Sequence, residues 1–277
     1  MTLITYNRRI IVTLTAENGS SVSEQEFKTR KTISIEKSIS KYPNTATIRI
    51  FNPNSNLQAI ALRENVKIEV FATYADNEGD RVFKGDIKRA YSINANQNNI
   101  LKIEAGDAET AIATKEIYLS YGPGTAKITI VEKCLDILGL KLAQRSRAFI
   151  TGSYNGAFVA NGKVINILDT IIKGIKDTNG RSYEYSIQDE QFIIAPYGSK
   201  DANIAVPVKY SPGLLLAKPI KLQDGGLSLI TLLDPRFRVH GTIDMQVEGF
   251  QGLYQIRQLK FQGDSTQGDW KTEVICL

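Results

Sequence analysis

The hydrophobic period of this 277-residue chain changes twice, and those changes limit what it can fold into. Up to about residue 107, apolar and polar residues alternate in short runs broken by turn residues, the pattern of half-buried antiparallel strands. The runs predict strands at 9–15, 32–36, 45–51, 66–74, 81–92 and 99–105. Between them stand Asn18-Gly19, Asn52-Pro53-Asn54, the Asp-Asn-Glu-Gly run at 76–79 and the Asn-rich stretch 94–99, each with turn chemistry. Leu57, Ile60 and Ala61 are spaced for a short helix within 56–63.

The middle of the chain has the helical period. Within 125–138, Ile128, Val131, Cys134, Leu135 and Leu138 recur at three and four, and Gly139 stands where a helix C-cap belongs. Val164, Ile167, Leu168, Ile171, Ile172 and Ile175 repeat the pattern within 163–175. The runs 182–187 and 191–195 flank Gln188-Asp189-Glu190 and predict a β-hairpin packed on that helix.

From Lys209 onward the strand period returns, with runs at 227–233, 241–247, 253–261 and 270–276. The two β regions share an order. A strand (67–71; 242–247) is followed by a turn and a second strand (81–92; 253–261). A polar turn (94–99; 263–268) and a last strand (100–105; 270–275) complete each. The reading is therefore mainly β with an α/β insertion: a β domain at 1–107, a two-helix plus hairpin domain at 108–208, and a second β domain at 209–277.

Composition narrows the class. With 42% hydrophobic residues the chain can bury a large core, and its length suggests roughly two domains. Cys134 and Cys276 are the only cysteines and belong to no CxxC or Cys/His cluster, which argues against a disulfide framework and a zinc site. The first eleven residues, MTLITYNRRII, lack the pattern of a secretory signal, so synthesis in a reducing cytoplasm is expected. No apolar run approaches the ~20 residues that span a bilayer. The charge of +5 is spread in mixed sign, without a Lys/Arg block that would mark a dedicated nucleic-acid surface.

Chemistry-bearing residues are few. His240 is the only histidine, set in Arg236-Phe237-Arg238-Val239-His240-Gly241 with no Ser or Cys in a tight turn beside it, and it is read as a packing or surface residue. Asp76, Glu78 and Asp80 have a spacing that could offer oxygens to calcium, yet they sit at a hairpin tip where acids are commonly solvated. Asp107 and Glu109 follow Gly106 at a strand end and are read as capping the turn into 110–115 rather than as an acid/base pair.

Gly122-Pro123-Gly124-Thr125 has the look of a phosphate loop but lacks the Walker lysine, and Pro123 removes a donor. Asn18-Gly19-Ser20 matches the glycosylation triplet, without a secretory context. Trp270 could stack a base or a sugar; its alternating strand favours a core role. No catalytic, cofactor-binding or metal-binding residue is assigned, and the chain is expected not to be an enzyme.

Three ordered elements carry a resemblance that runs nearly end to end. The first is residues 45–54, TATIRIFNPN, with 64–70, ENVKIEV. The second is 81–87, RVFKGDI, with 103–109, IEAGDAE. The third is 232–236, LLDPR, then 252–257, GLYQIR, then 263–270, GDSTQGDW. In these the chain resembles the baseplate hub proteins of contractile phage tails, the late-control-D type also found in related contractile injection machines.

That resemblance implies two tail-tube-like β-barrels per subunit and a homotrimer, which places six similar barrels around a threefold axis. It further implies a structural role in the virion tail baseplate, assembled in the bacterial host cytoplasm. The partners it implies are a separate tail spike protein below, the tail tube protein above, and DNA or a tape-measure protein passing through the channel without sequence-specific binding.

Other readings stay open at this point. A distal-tail or other tube-like tail protein would share the barrels but form a hexamer. An OB-like nucleic-acid-binding protein would interleave aromatics with Lys/Arg, for which Arg181, Tyr183 and Tyr185 come closest. A carbohydrate-processing enzyme would need two opposed carboxylates that the sequence does not place.

Overall fold

A computed structural model describes residues 7–24, 29–74, 79–95, 98–107, 109–210 and 214–277. In chain order the first β region contributes β1 (Arg8–Thr15), β2 (Ser21–Glu24), β3 (Lys31–Ser38), β4 (Thr45–Phe51), helix α1 (Ser55–Ala61), β5 (Lys67–Tyr74), β6 (Asp80–Ala95) and β7 (Asn98–Gly106). The middle contributes α2 (Glu109–Thr114), β8 (Glu116–Tyr121), α3 (Lys127–Leu138), β9 (Lys141–Leu142), β10 (Phe158–Lys163), α4 (Val164–Lys173), β11 (Tyr183–Gln188) and β12 (Gln191–Pro196). The last region contributes β13 (Val206–Val208), β14 (Ile220–Lys221), β15 (Leu227–Leu232), β16 (Thr242–Met245), β17 (Gly252–Asp264) and β18 (Trp270–Cys276). The protein is mainly β with a few helices, as the two changes of period predict.

The chain divides into two compact units: residues 1–38, 44–106 and 200–277 form one, and residues 39–43 and 107–199 the other. Both flanking β regions lie in the first unit because one strand crosses between them. β3 pairs with β4 on one side and with β17 on the other, so the strands run in a single sheet in the order β14-β15-β18-β17-β3-β4-β7-β6-β5-β1-β2.

Within this sheet the sequence repeat becomes a repeat of pairings. β4 pairs β7, β7 pairs β6 and β6 pairs β5; likewise β15 pairs β18, β18 pairs β17 and β17 pairs β16, all antiparallel. The registers coincide residue by residue. Ala46↔Ala105 and Ile48↔Ile103 in the first repeat stand where Leu227↔Cys276 and Leu229↔Val274 stand in the second. The β6/β7 ladder shifts between Ile87 and Arg89, and the β17/β18 ladder between Ile256 and Gln258. Next to that irregularity the Ile87 amide donates to the Val66 carbonyl at 2.8 Å, as the Ile256 amide does to the Gly241 carbonyl at 2.8 Å. A bulge shared at one position twists both long strands alike. The repeats differ at one flank, where β1 is antiparallel to β5 and β13 is parallel to β16.

Strand alternation fills the core of this unit. Ile48 and Ile50 of β4, Leu101 and Ile103 of β7, and Leu259 and Phe261 of β17 are all buried. β3 reads KTISIEK, so its inward positions are Lys31, Ile33, Ile35 and Lys37. The Lys31 ammonium lies 3.9 Å from the buried Glu24 carboxylate, and a partner of this kind is what makes a buried cation tolerable.

The second unit packs α3 and α4 with the β11/β12 hairpin. Ile130, Val131, Cys134, Leu135 and Leu138 of α3 meet six buried residues of α4 in one apolar cluster. α4 is rich in β-branched residues, which disfavour helix; its continuous stripe shows packing overriding propensity. Gly139 closes α3 at φ 68°, the left-handed C-cap that glycine supplies cheaply. The hairpin turns at Asp189 and Glu190, both at positive φ.

Gly85 of β6 shows how tightly the first repeat is assembled. A Cβ there would lie 2.5 Å from the Gly106 carbonyl oxygen, backbone that cannot swing aside. Gly85→Ala should therefore cost about 2 kcal/mol or more, the cost of overpacking. Chemical denaturation of the two proteins measures it, and an unchanged midpoint would mean that the β6/β7 contact is looser than described.

Candidate assembly surface

The residues that alternate with the core form one largely polar face across β18, β17, β3, β4, β7 and β6, interrupted by Ile275 on β18 and by the row Phe51, Ile100 and Ile93 on β4, β7 and β6. Pairing registers line up its rows. Glu273, Lys260, Glu36 and Thr45 stand side by side on four neighbouring strands. The next row runs Lys271, Gln262, Ser34, Thr47, Glu104 and Arg89.

Charge on this face is largely neutralised in place. Lys260 Nζ lies 2.7 Å from Glu36 Oε1, Lys271 Nζ 3.3 Å from Glu273 Oε1, and Lys102 Nζ 2.6 Å from Glu104 Oε1. The hydrogen bond from Lys102 holds the Glu104 carboxyl below its usual range and raises the Lys102 ammonium; Glu36 raises Lys260 in the same way. Pairs so exposed, screened by solvent, add little to stability. Their larger effect is on the field, because a carboxylate beside each of these lysines weakens its pull on a polyanion.

The sheet has two open margins within the first unit. One is β14, which among the described residues is paired only to β15. The other is the second half of β6: residues 80–86 pair with β5, but 89–94 pair with β7 alone among the described residues. Exposed apolar side chains collect at both. Leu216 (52% exposed) and Ile220 (64%) lie on the first, with Ile230 (36%) of β15 and Ile275 (37%) of β18 on the strands behind it, and Ile93 (39%) lies on the second.

The residues singled out by chemistry are dispersed. Among the described residues no three His, Cys, Asp or Glu side chains cluster as a metal site. Asp107 is buried and accepts from the Asp189 amide at 3.3 Å, which ties it to the hairpin turn. Asp80 opens β6, while Asp76 and Glu78 lie outside the described residues, as does the Glu109 side chain. In the 122–125 loop the Gly124 amide donates to Tyr154 O, and at the start of α3 the Lys127 amide donates to Gly152 O, so these two donors are already used by the chain. Asn18-Gly19-Ser20 is a tight turn in which Asn18 Oδ1 accepts from Ser20.

The aromatics and thiols are packed. Trp270 is 3% exposed and meets Tyr74 edge-on at 5.7 Å; burial pushes the Tyr74 phenol up to about 12. Tyr185 stacks on Phe192 at 4.9 Å and reaches Asp169, Tyr183 leans on Phe149, and Arg181 pairs with Asp177. The three residues of the nucleic-acid reading therefore bind their own unit. Both thiols are buried, which pushes Cys134 up to about 11 and Cys276 up to about 12.

No protein-family model matches the chain, and no curated protein sequence matches it. Solved structures do match in fold. The 43 kDa tail protein of prophage MuSo2 from Shewanella oneidensis aligns over 96% of this chain and 96% of its own at 9% identity, with a TM-score of 0.67. A tail protein from Neisseria meningitidis MC58 aligns over 98% and 96% at 9% identity, with a TM-score of 0.63. The E. coli c3393 protein aligns over 90% of this chain and 74% of its own at 8% identity, with a TM-score of 0.59. It is described as a type VI secretion system component similar in structure to the T4 tail proteins gp27 and gp5. The chain thus has the fold of phage tail proteins, the class to which its sequence resemblance points.

His240 occupies the turn into β16 at φ 64°, its amide bonded to the Ile256 carbonyl at 3.0 Å. Burial, with the Arg257 guanidinium adding to it, pushes the imidazole down from 6.5 to about 4. The unfolded chain gains a proton near pH 6.5 and the folded chain only near 4. Stability is full above that window and is lost as pH falls through it. His240→Asn, which tolerates a left-handed backbone, should flatten the loss of Tm between pH 6.5 and 4. Superimposable pH profiles for the two proteins would remove His240 from the acid response.

Proposed function

We propose that this protein is a structural hub of a phage or phage-like contractile tail baseplate, working as a ring of three chains around a channel. The observation that carries the reading is the duplication of pairing register within one chain. A sixfold tube cannot meet a threefold spike without mismatch. Three chains that each bring two equivalent β units offer six similar positions on one side and threefold symmetry on the other.

In this reading residues 1–107 and 209–277 supply the two tube-like barrels, with β3 crossing from one to the other. The polar face forms the channel wall. Its paired charges let DNA or a tape-measure protein pass without sequence-specific binding, since tight phosphate binding needs an excess of unpaired Lys and Arg. The tail tube protein stacks above and a spike protein attaches below. The work is mechanical, and no residue is assigned to catalysis or to a cofactor. Assembly takes place in the bacterial host cytoplasm.

Native mass spectrometry of the purified chain at rising concentration tests the reading. The expected species is three copies of the 30.7 kDa chain. A closed assembly of six identical chains would instead favour a distal-tail or other tube protein, and a monomer at every concentration would count against any ring.

A further inference from the structure

The duplication makes one further comparison available, because an edge that is covered in one repeat is open in the other. In the second repeat the far edge of β17 is covered by β3, with Lys260↔Glu36, Phe261↔Ile35 and Gln262↔Ser34 in register. The residues of β6 that take the places of Lys260, Phe261 and Gln262 are Tyr91, Ser92 and Ile93, since Lys260↔Glu273 and Gln262↔Lys271 match Tyr91↔Lys102 and Ile93↔Ile100. Phe261 and Gly263 are buried, while Ser92 and Asn94 in the matching places are exposed. The same ladder position is finished in one half and unfinished in the other.

The strand that could finish it is identified by the same register. β3 lies on β4 as the 214–222 segment lies on β15. The Phe51 amide donates to Arg30 O at 3.0 Å, and the Leu232 amide to Leu214 O at 2.6 Å. Lys31↔Ile50 matches the bridge Leu215↔Thr231, and Ser34↔Thr47 matches Ile220↔Ser228. The outer edge of β3 is used, and that of β14 is open among the described residues. Between these shared pairings the 214–222 segment has four residues, Leu216, Ala217, Lys218 and Pro219, where β3 has two, Thr32 and Ile33. A lysine and a proline are devices that blunt a free edge against indiscriminate pairing, which confines the usable stretch to 220–222.

The geometry points to a head-to-tail contact between copies of this chain, in which residues 220–222 of one copy pair antiparallel with residues 91–93 of the next. Transferring the β3/β17 register sets Ile93 opposite Ile220 of the second copy, Ser92 opposite Lys221 and Tyr91 opposite Leu222. The two isoleucines are among the exposed apolar residues of the open margins, 39% and 64% exposed, and each covers the other in the pair. Apolar side chains directly opposite on neighbouring strands stabilise such a ladder. The contact uses different surfaces on its two sides, so repeating it either closes a ring or grows a filament. It rests on the ring reading above and adds which strands join.

Cysteine pairing tests it, since opposite residues on antiparallel strands bring Cβ atoms within about 5 Å, in reach of a disulfide. Ile93→Cys and Ile220→Cys are made in separate full-length chains, mixed and oxidised mildly; the native Cys134 and Cys276 are buried. A covalent two-chain species is expected in the mixture and at least tenfold less in either chain alone. The doubly substituted chain should give covalent closed trimers, and Ser92→Cys with Ile220→Cys, one residue out of register, should give far less product.

No mixed disulfide in a sample that native mass spectrometry shows to be trimeric would overturn the edge assignment and leave the ring standing. Equal crosslinking of Ile93→Cys with itself would overturn it in favour of a face-to-face edge. A chain that neither crosslinks nor associates would overturn both.

Discussion

The pairing of β3 with β17 is the interaction on which the rest of the first unit depends. Seven consecutive partners, from Gln258↔Ser38 to Asp264↔Thr32, join segments more than 200 residues apart in sequence. Without that ladder, β17 would expose a long row of unpaired amides and carbonyls, and the two repeats would each end in an open edge. With it, the outward face runs from one half into the other in a single sheet. Arg30 adds to the join, holding Asp264 at 2.8 Å across the same seam; burial alone would raise the Asp264 carboxyl, and Arg30 together with the hydrogen bonds from Thr266 and Gln267 keeps it below its usual range.

Duplication inside one chain has a physical consequence that a single β unit does not. The two repeats keep the same ladder, the same bulge position and the same order of strands, yet share few side chains: Ala46 and Leu227, or Ala105 and Cys276, occupy matching places. Matching backbones with different side chains permit similar positions around an axis while each face and edge meets a different neighbour. That is the property the proposed hub needs. It is also why register, and not residue identity, carries the argument about which edges meet.

Much of this was legible in the sequence. The strands at 45–51 and 270–276 fall where alternation puts them, and the buried stripe of α4 follows its 3.6-residue spacing. Strand order in the repeat could be read from turns alone. The β8/β10 ribbon could not: β10 contains Asn161-Gly162, which looks like a turn, and Tyr118 and Val159 are largely exposed. The crossing of β3 was invisible too, because alternation fixes which face a strand buries and is silent on which distant strand it joins. In α3 the buried face takes Ile130 as well as the expected stripe, while Ile128 is only partly covered. The candidate surface was out of reach for the same reason as the crossing. Its rows consist of ordinary Lys, Glu, Thr and Ser residues, and only the registers bring Lys260 beside Glu36 and Glu273.

Electron cryo-microscopy of the assembled ring tests the central claim most directly. The account predicts three chains around a threefold axis with six β units at nearly equal spacing about one channel, lined by the face that carries Glu36, Lys260 and Glu273. Six identical chains in true sixfold symmetry, or a threefold ring with that face turned outward, would contradict it.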